Sequence, residues 1–248
     1  LEEKKGELAK SQKLMMEYIL IIGILLVVII GLKILIQVKL KEIKEIGTNE
    51  NLNRITNNFP ENVEIAKKIL KSLNNETTKV KENDQNESSF YFVLTDTITI
   101  ANIRNSYTRI QTIAHECIHS VQNKGILLFH NIYSHLYQLY FIALIILTAV
   151  GVVKNYLLQI IVLLILHSVF YMIRSYLEMD AMIKARYIAK EYMKQENIIK
   201  EDDQEKIINA YDKLNEKGIR LANYQYFIGG LVKVIIFCME IILLQSFR

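Results

Sequence analysis

YILIIGILLVVIIGLKILI, residues Tyr18–Ile36, is almost unbroken apolar sequence with Lys33 as its single charge. At 1.5 Å per residue a helix of this length covers about 28 Å, enough to cross the roughly 30 Å hydrocarbon core of a bilayer. Lys33 sits close enough to one end to snorkel to the interface. The run is too long for the apolar part of a secretory signal, and no small-residue cleavage site follows it, so it reads as a retained anchor.

Three further apolar blocks cover residues 136–153, 156–173 and 227–244. The second and third are separated only by the Lys154-Asn155 pair, as in a tight transmembrane hairpin. The last carries Lys233 and Glu240, seven residues apart and so on one helical face, which suits a face turned towards other helices or headgroups rather than lipid tails. Half the chain is hydrophobic (51%) and nearly a quarter is charged (23%), so greasy and polar blocks must alternate. The fold class expected is a mainly α polytopic membrane protein with about four transmembrane helices and a small α+β, zincin-like extramembrane region. In order, the chain divides into a polar segment 1–17, helix 18–36, an extramembrane region 37–125, helices 136–153 and 156–173, an extramembrane helical region 174–224, and helix 227–244.

A net charge of +4 is too small and too dispersed to argue for nucleic acid as a partner. The lipid bilayer is the partner that composition does require. Two cysteines, Cys117 in a polar segment and Cys238 in an apolar one, do not make a disulfide framework.

Within 37–125, Pro60 followed by an amphipathic stripe of Val63, Ile65, Ala66, Ile69, Leu70 and Leu73 predicts a helix. Residues 74–88 are Asn-, Glu- and Lys-rich and are expected to form a surface loop. Phe90–Leu94 and Thr97–Ala101 read as two strands joined through Thr95-Asp96, the second a candidate edge for an extended substrate backbone. A helix from Tyr107 to Asn123 follows, capped by Ser106, its buried face formed by Ile110, Ile113, Ala114, Cys117, Ile118 and Val121. Residues 174–224 are expected to be helical with a break near Gly218. One crossing before the first polar region and two between it and the second place both on the same side of the membrane. That side, with Lys39, Lys41, Lys44, Lys124, Arg174 and Arg220 near its span ends, is richer in Lys and Arg than the side with Lys4, Lys5, Lys10, Lys13, Lys154 and Arg248. The positive-inside rule makes it cytoplasmic.

The chemistry lies in His115-Glu116-Cys117-Ile118-His119, an HExxH sequence on a predicted helix. Residues four apart project from one face, so both imidazoles can bind one ion, while Glu116 sits about 100° round and can reach a polarised water. Imidazole and carboxylate suit zinc, and chance would place such a motif in about one chain in a hundred of this composition. The spaced pattern HExxHxxGxxH is broken, because Gln122 and Gly125 occupy the positions of its Gly and third His. Candidates for the third ligand are His130 and His135, which head into the second span, and Glu178 and Asp180, which follow the third. His167 lies deep in an apolar block, a poor place for a ligand at the membrane surface, and reads either as a helix-packing hydrogen bonder or as a polar group lining a cavity. Two residues apart on a helix, Glu178 and Asp180 cannot both ligate one ion. Glu178 has the longer arm for a helix packed across the first, leaving Asp180 to bond a helix end or a basic residue. Tyr171, Arg174 and Tyr176 are near enough in sequence to serve as oxyanion donors but equally read as interfacial anchors.

Ile113–Gln122 resembles the AAHExGHAxQ signature of the YugP-like neutral zinc metallopeptidases, small bacterial membrane proteins, and Leu177–Ala181 with Ala185 resembles their ExDAxxxA segment. The order of anchor, strands, HExxH helix, transmembrane hairpin, acidic segment and last span is similar too. The resemblance implies a zinc-dependent peptidase of the bacterial cell membrane with one catalytic Zn2+, ligands His115, His119 and Glu178, Glu116 as base, and a peptide or protein substrate, membrane-proximal for some substrates. Ile118 stands where the family has Gly, Ser120 where it has Ala, and Met182 where Ser is common. Ile118, beside the metal ligands, motivates the alternative of a catalytically degenerate zinc-binding homologue acting as a binding or scaffold protein.

Overall fold

The computed structural model describes residues 2–37 and 40–247. Lys39 and Arg248 of the charge comparison lie outside them. The described chain is mainly helical, with a small three-stranded sheet. It forms two compact units, one of residues 2–37, 130–174 and 222–247, the other of residues 40–129 and 175–221.

The first unit contains α1 (Glu2–Ile36) and parts of α6 (Lys124–Ala149), α7 (Tyr156–Glu196) and α8 (Glu201–Ser246). These four helices are long and apolar enough to cross a membrane. Tyr18, Tyr137, Leu144, Leu163, Val234, Phe237 and Ile241 form the buried interior of this unit, while Leu20, Val27, Leu139, Ile146, Leu157 and Ile236 are exposed. A bilayer would cover such an outward apolar face. Several polar groups inside the unit are bonded within it, as a low-dielectric setting favours, while the Tyr137 and Thr148 hydroxyls, His167 Nδ1 and one Glu240 oxygen find no hydrogen-bond partner among the described residues. The Tyr133 hydroxyl donates to the Leu166 carbonyl (2.8 Å) and that of Tyr140 to Gln159 (2.6 Å). Lys233 donates to Gln138 and lies 4.4 Å from the centre of the Tyr137 ring. His167 is bonded through Nε2 to the Phe227 carbonyl (3.0 Å), so it packs helices together as its position implied.

Helix boundaries differ from the apolar blocks. α1 begins at Glu2, so the polar segment 1–17 continues the anchor helix through its described residues. α6 starts at Lys124 and stops at Ala149, whereas Val150, Val152 and Val153 had extended the apolar reading to 153. Gly151, at φ 78°, stops it: its N–H bonds Thr148 and that of Val152 bonds Leu147, a Schellman termination only glycine accepts without strain. The break expected near Gly218 is instead at residues 197–200, where Asn197 takes φ 49° after α7, and α8 runs straight through Gly218. A Cβ at Gly218 would stand 3.2 Å from Met182 Cε, so this glycine serves close helix approach rather than a turn.

The second unit contains α2 (Leu40–Gly47), α3 (Glu50–Thr56), α4 (Asn62–Ser72), the sheet, α5 (Arg109–Val121) and the remaining parts of α6, α7 and α8. β2 (Phe90–Phe92) and β3 (Thr97–Ile100) pair antiparallel, Phe90 opposite Thr99, with Asp96 at φ 47° in the turn. The supposed loop 74–88 contains a third strand, β1 (Lys79–Glu82), parallel to β3. The strand order is β1-β3-β2, so β3 is central and both its edges are taken; it cannot pair with a substrate backbone as expected. The Asp96 carboxylate accepts from Thr78 (2.8 Å), Tyr91 (2.9 Å) and Lys124 (3.2 Å), tying the turn to β2, to the start of β1 and to the beginning of α6. Burial alone would raise its pKa, but these donors outweigh that and hold it below the ordinary carboxylate value.

α5 is enclosed by the core. Ile110, Ile113, Ala114 and Cys117 are buried as their spacing predicts, among Ile65, Ile69, Ile98, Ile100, Ala185, Ala189 and Tyr211; Ile118 is buried outside that cluster, and Val121 is exposed at the helix end. The helix begins at Arg109 rather than Tyr107, because Tyr107 is held outside it. Its N–H donates to Asn53 Oδ1 (2.7 Å), its hydroxyl to the Ile46 carbonyl (2.7 Å), and its carbonyl accepts from Tyr211 (2.8 Å). Ser106 accepts the Thr108 N–H (3.3 Å), one turn-forming bond before the helix proper.

The close fit of His167 in the first unit gives a test. A Cβ on Gly230 would lie 2.0 Å from the imidazole, whereas one on Gly23 meets nothing within 4 Å. Gly230→Leu is expected to lower the melting temperature in detergent, with about 1–3 kcal/mol lost to overpacking. Gly23→Leu should leave it unchanged, and adding His167→Ala to Gly230→Leu should recover part of the loss, all read by thermal unfolding.

Candidate metal centre

The second unit brings together three side chains that lie far apart in sequence. α5 presents His115 and His119 one turn apart, and α7 presents Glu178. The two Nε2 atoms are 3.0 Å apart; Glu178 Oε2 is 3.3 Å from that of His115, and Oε1 is 3.6 Å from that of His119. For ligand bonds of about 2.0–2.2 Å, the edges of a tetrahedron measure about 3.3–3.6 Å. The carboxylate meets each imidazole at such a distance, through a different oxygen in each case, while the imidazole pair at 3.0 Å is closer than an edge; the three side chains can hold a metal ion. Two neutral nitrogens and a carboxylate oxygen also form a chemically consistent donor set. The side chains of His115, His119 and Glu178 are 19%, 10% and 11% exposed, so the site is recessed but open enough for a small ligand.

Glu116 follows His115 on α5 and is 6% exposed. Cys117, next in line, turns into the core, where its thiol approaches the Ala66 carbonyl at 3.8 Å. Burial pushes that thiol's pKa up, and the neighbouring Glu116 charge adds to the effect, so it stays protonated and does not compete for a cation.

The other candidates are engaged elsewhere. Asp180 accepts from Gln122 (2.9 Å) and pairs with Lys184 (2.6 Å), in agreement with its expected bond to a basic residue. Its partner at the end of α5 is the Gln122 side chain. His135 Nδ1 bonds the Asn131 carbonyl (2.7 Å), and His130 lies against the Phe170 ring at 5.4 Å between centroids. Both belong to the first unit, and among the described residues the only group with metal-ligand spacing is His115, His119 and Glu178. Arg174 lies over the Tyr226 ring and Tyr171 against Phe227, which places both in the aromatic packing of the first unit. Tyr176 lines a cavity of about 210 Å³ with Ile118, Val121, Gln122, Leu177 and Asp180.

The role of Gln122 was not apparent from the sequence. Its Oε1 lies 2.8 Å from His119 Nδ1, and its Nε2 donates to the Leu177 carbonyl (2.8 Å) and to Asp180. Its position three residues after His119 placed it on the right face, but contact with residues 177 and 180 depends on how α5 and α7 pack.

Compared with known proteins, the chain matches no family model, no curated protein and no solved structure.

Purified protein is expected to bind one divalent ion per chain, read by elemental analysis and chelator competition. His119→Ala or Glu178→Ala should each weaken binding by more than the roughly 10–100-fold that loss of a supporting residue costs.

Proposed function

We propose that the protein is a membrane-embedded zinc metallopeptidase that hydrolyses peptide bonds. The observation that carries the reading is the approach of Glu178, from a different helix, to the paired imidazoles of an HExxH motif at 3.3 and 3.6 Å. Zinc suits two imidazoles and one carboxylate, and three protein ligands leave room for water or substrate, as catalytic zinc sites require. When bound, zinc supplies Lewis acidity to the attacking water and to the scissile carbonyl. Glu116 is the general base: it accepts the proton of the attacking water and returns it to the leaving amine. His115, His119 and Glu178 orient the centre, and burial of α5 keeps the group rigid. The resemblance of Ile113–Gln122 and Leu177–Ala181 to the YugP-like peptidases supports the same roles, and the Lys and Arg balance supports a site facing the cytoplasm, with peptide segments near the membrane as substrates.

A second reading, a degenerate zinc-binding homologue serving as a scaffold, has Ile118 behind it. This bulky side chain is buried beside His119 where the family has glycine.

The two readings separate on a quenched fluorescent peptide library. Wild-type protein should cleave it, and Glu116→Gln should lose about 10²–10⁴ in rate while retaining the metal. Zinc bound by both proteins with turnover by neither would establish the scaffold reading instead.

A further inference from the structure

The side-chain amide of Gln122 has only one orientation that satisfies its surroundings. The Leu177 carbonyl (2.8 Å) and the Asp180 carboxylate (2.9 Å) can only accept, so the NH2 end must face them both. Oε1 is then left to face His119 Nδ1 at 2.8 Å, and an oxygen there requires Nδ1 to carry the hydrogen. A neutral imidazole protonated on Nδ1 has its lone pair on Nε2, the atom that lies 3.0 Å from His115 Nε2 and 3.6 Å from Glu178. The far end of the chain is fixed in turn, because Asp180 is held by Lys184 one turn along α7 at 2.6 Å.

Gln122 has a second effect through the same atoms. Its amide nitrogen is bonded to the backbone of Leu177, the residue immediately before Glu178, while its oxygen is bonded to a ligand on α5. The amide therefore links α5 to α7 beside the metal ligands, and the length of one glutamine side chain sets the separation of His119 from Glu178.

We infer that Gln122, anchored by Asp180 and Lys184, is a positioning residue of the metal centre, fixing His119 as an Nε2 ligand and setting the distance between the α5 and α7 ligands. This rests on the reading of His115, His119 and Glu178 as a metal site. Gln122 touches neither ion nor substrate, and acts through His119 and the Leu177 backbone. Supporting hydrogen bonds of this kind contribute about 10–100-fold to metal affinity.

The test uses the full chain in detergent and two probes, zinc by chelator competition and cobalt(II) by its visible absorption spectrum, with thermal unfolding as a check on folding. Gln122→Met keeps the length and removes the hydrogen bonds, so zinc affinity should fall about 10–100-fold and the cobalt bands should shift. Gln122→Glu places a carboxylate against Asp180 and the Leu177 carbonyl and should fall at least as far. Combining Gln122→Glu with Asp180→Asn relieves the carboxylate–carboxylate contact: the new carboxylate accepts from His119 and from the new amide, while the Leu177 carbonyl stays unpaired. That pair should recover part of the affinity and spectrum lost in Gln122→Glu, which a residue needed only for packing would not do. Wild-type affinity and spectrum in Gln122→Met, or no recovery in the double variant, would overturn the inference while leaving the metal site standing. Failure of the wild-type chain to bind either ion would instead remove the metal site and the inference together.

Discussion

Two imidazole nitrogens and a carboxylate within 3.6 Å of one another are expensive to assemble, because burial strips water from groups that hydrate strongly. The second unit tolerates this cluster because almost everything behind it is rigid hydrocarbon. Ile110, Ile113, Ala114 and Cys117 bury one side of α5 completely, and His115 and His119 project from the other. A helix held in this way cannot roll to separate its polar groups. The cluster is therefore kept ready for a cation, whose charge offsets the desolvation of the carboxylate.

α7 meets this requirement from the opposite direction. Ala181, Ala185 and Ala189 recur every fourth residue and are completely buried. Small residues at that spacing form a flat stripe along which neighbouring backbones can come close. Glu178 lies just off the stripe, so the surface that permits close packing also brings the carboxylate within reach. Ala181 and Ala185 thus have a packing role, while Glu178 joins the group that can hold a metal ion and Asp180 bonds the Gln122 side chain.

The parts that were legible in the sequence are those set by local spacing. A run of nineteen residues with a single charge, a four-residue interval between histidines and an acidic pair after the third apolar block each carry their geometry with them. β1 was hidden because its four residues, Lys79–Glu82, include only one apolar side chain, Val80, and its strand character depends on pairing with β3. That same pairing places β3 in the centre of the sheet. Gly151 and Gly218 look alike in sequence, yet one ends a helix through its positive φ and the other accommodates Met182 within a continuous helix. Only tertiary packing separates the two uses. Gln122 belongs to the same class, since its three hydrogen-bond partners come from two helices.

The residues between the ligands show how far a metal motif is also a folding motif. Cys117 is fully buried, with its thiol directed at the Ala66 carbonyl, and Ile118 is 3% exposed beside the cavity near His119. Cys117 is turned about 160° from both histidines and points away from them, and Ile118, about 60° from His115 and about 100° from His119, carries no donor atom. They hold the helix in place while His115 and His119 point outward. An isoleucine rather than a glycine at position 118 therefore changes the packing beside His119 rather than the donors. It adds a stiff β-branched side chain to one side of the cavity and removes the backbone freedom glycine would bring to the turn that carries His119.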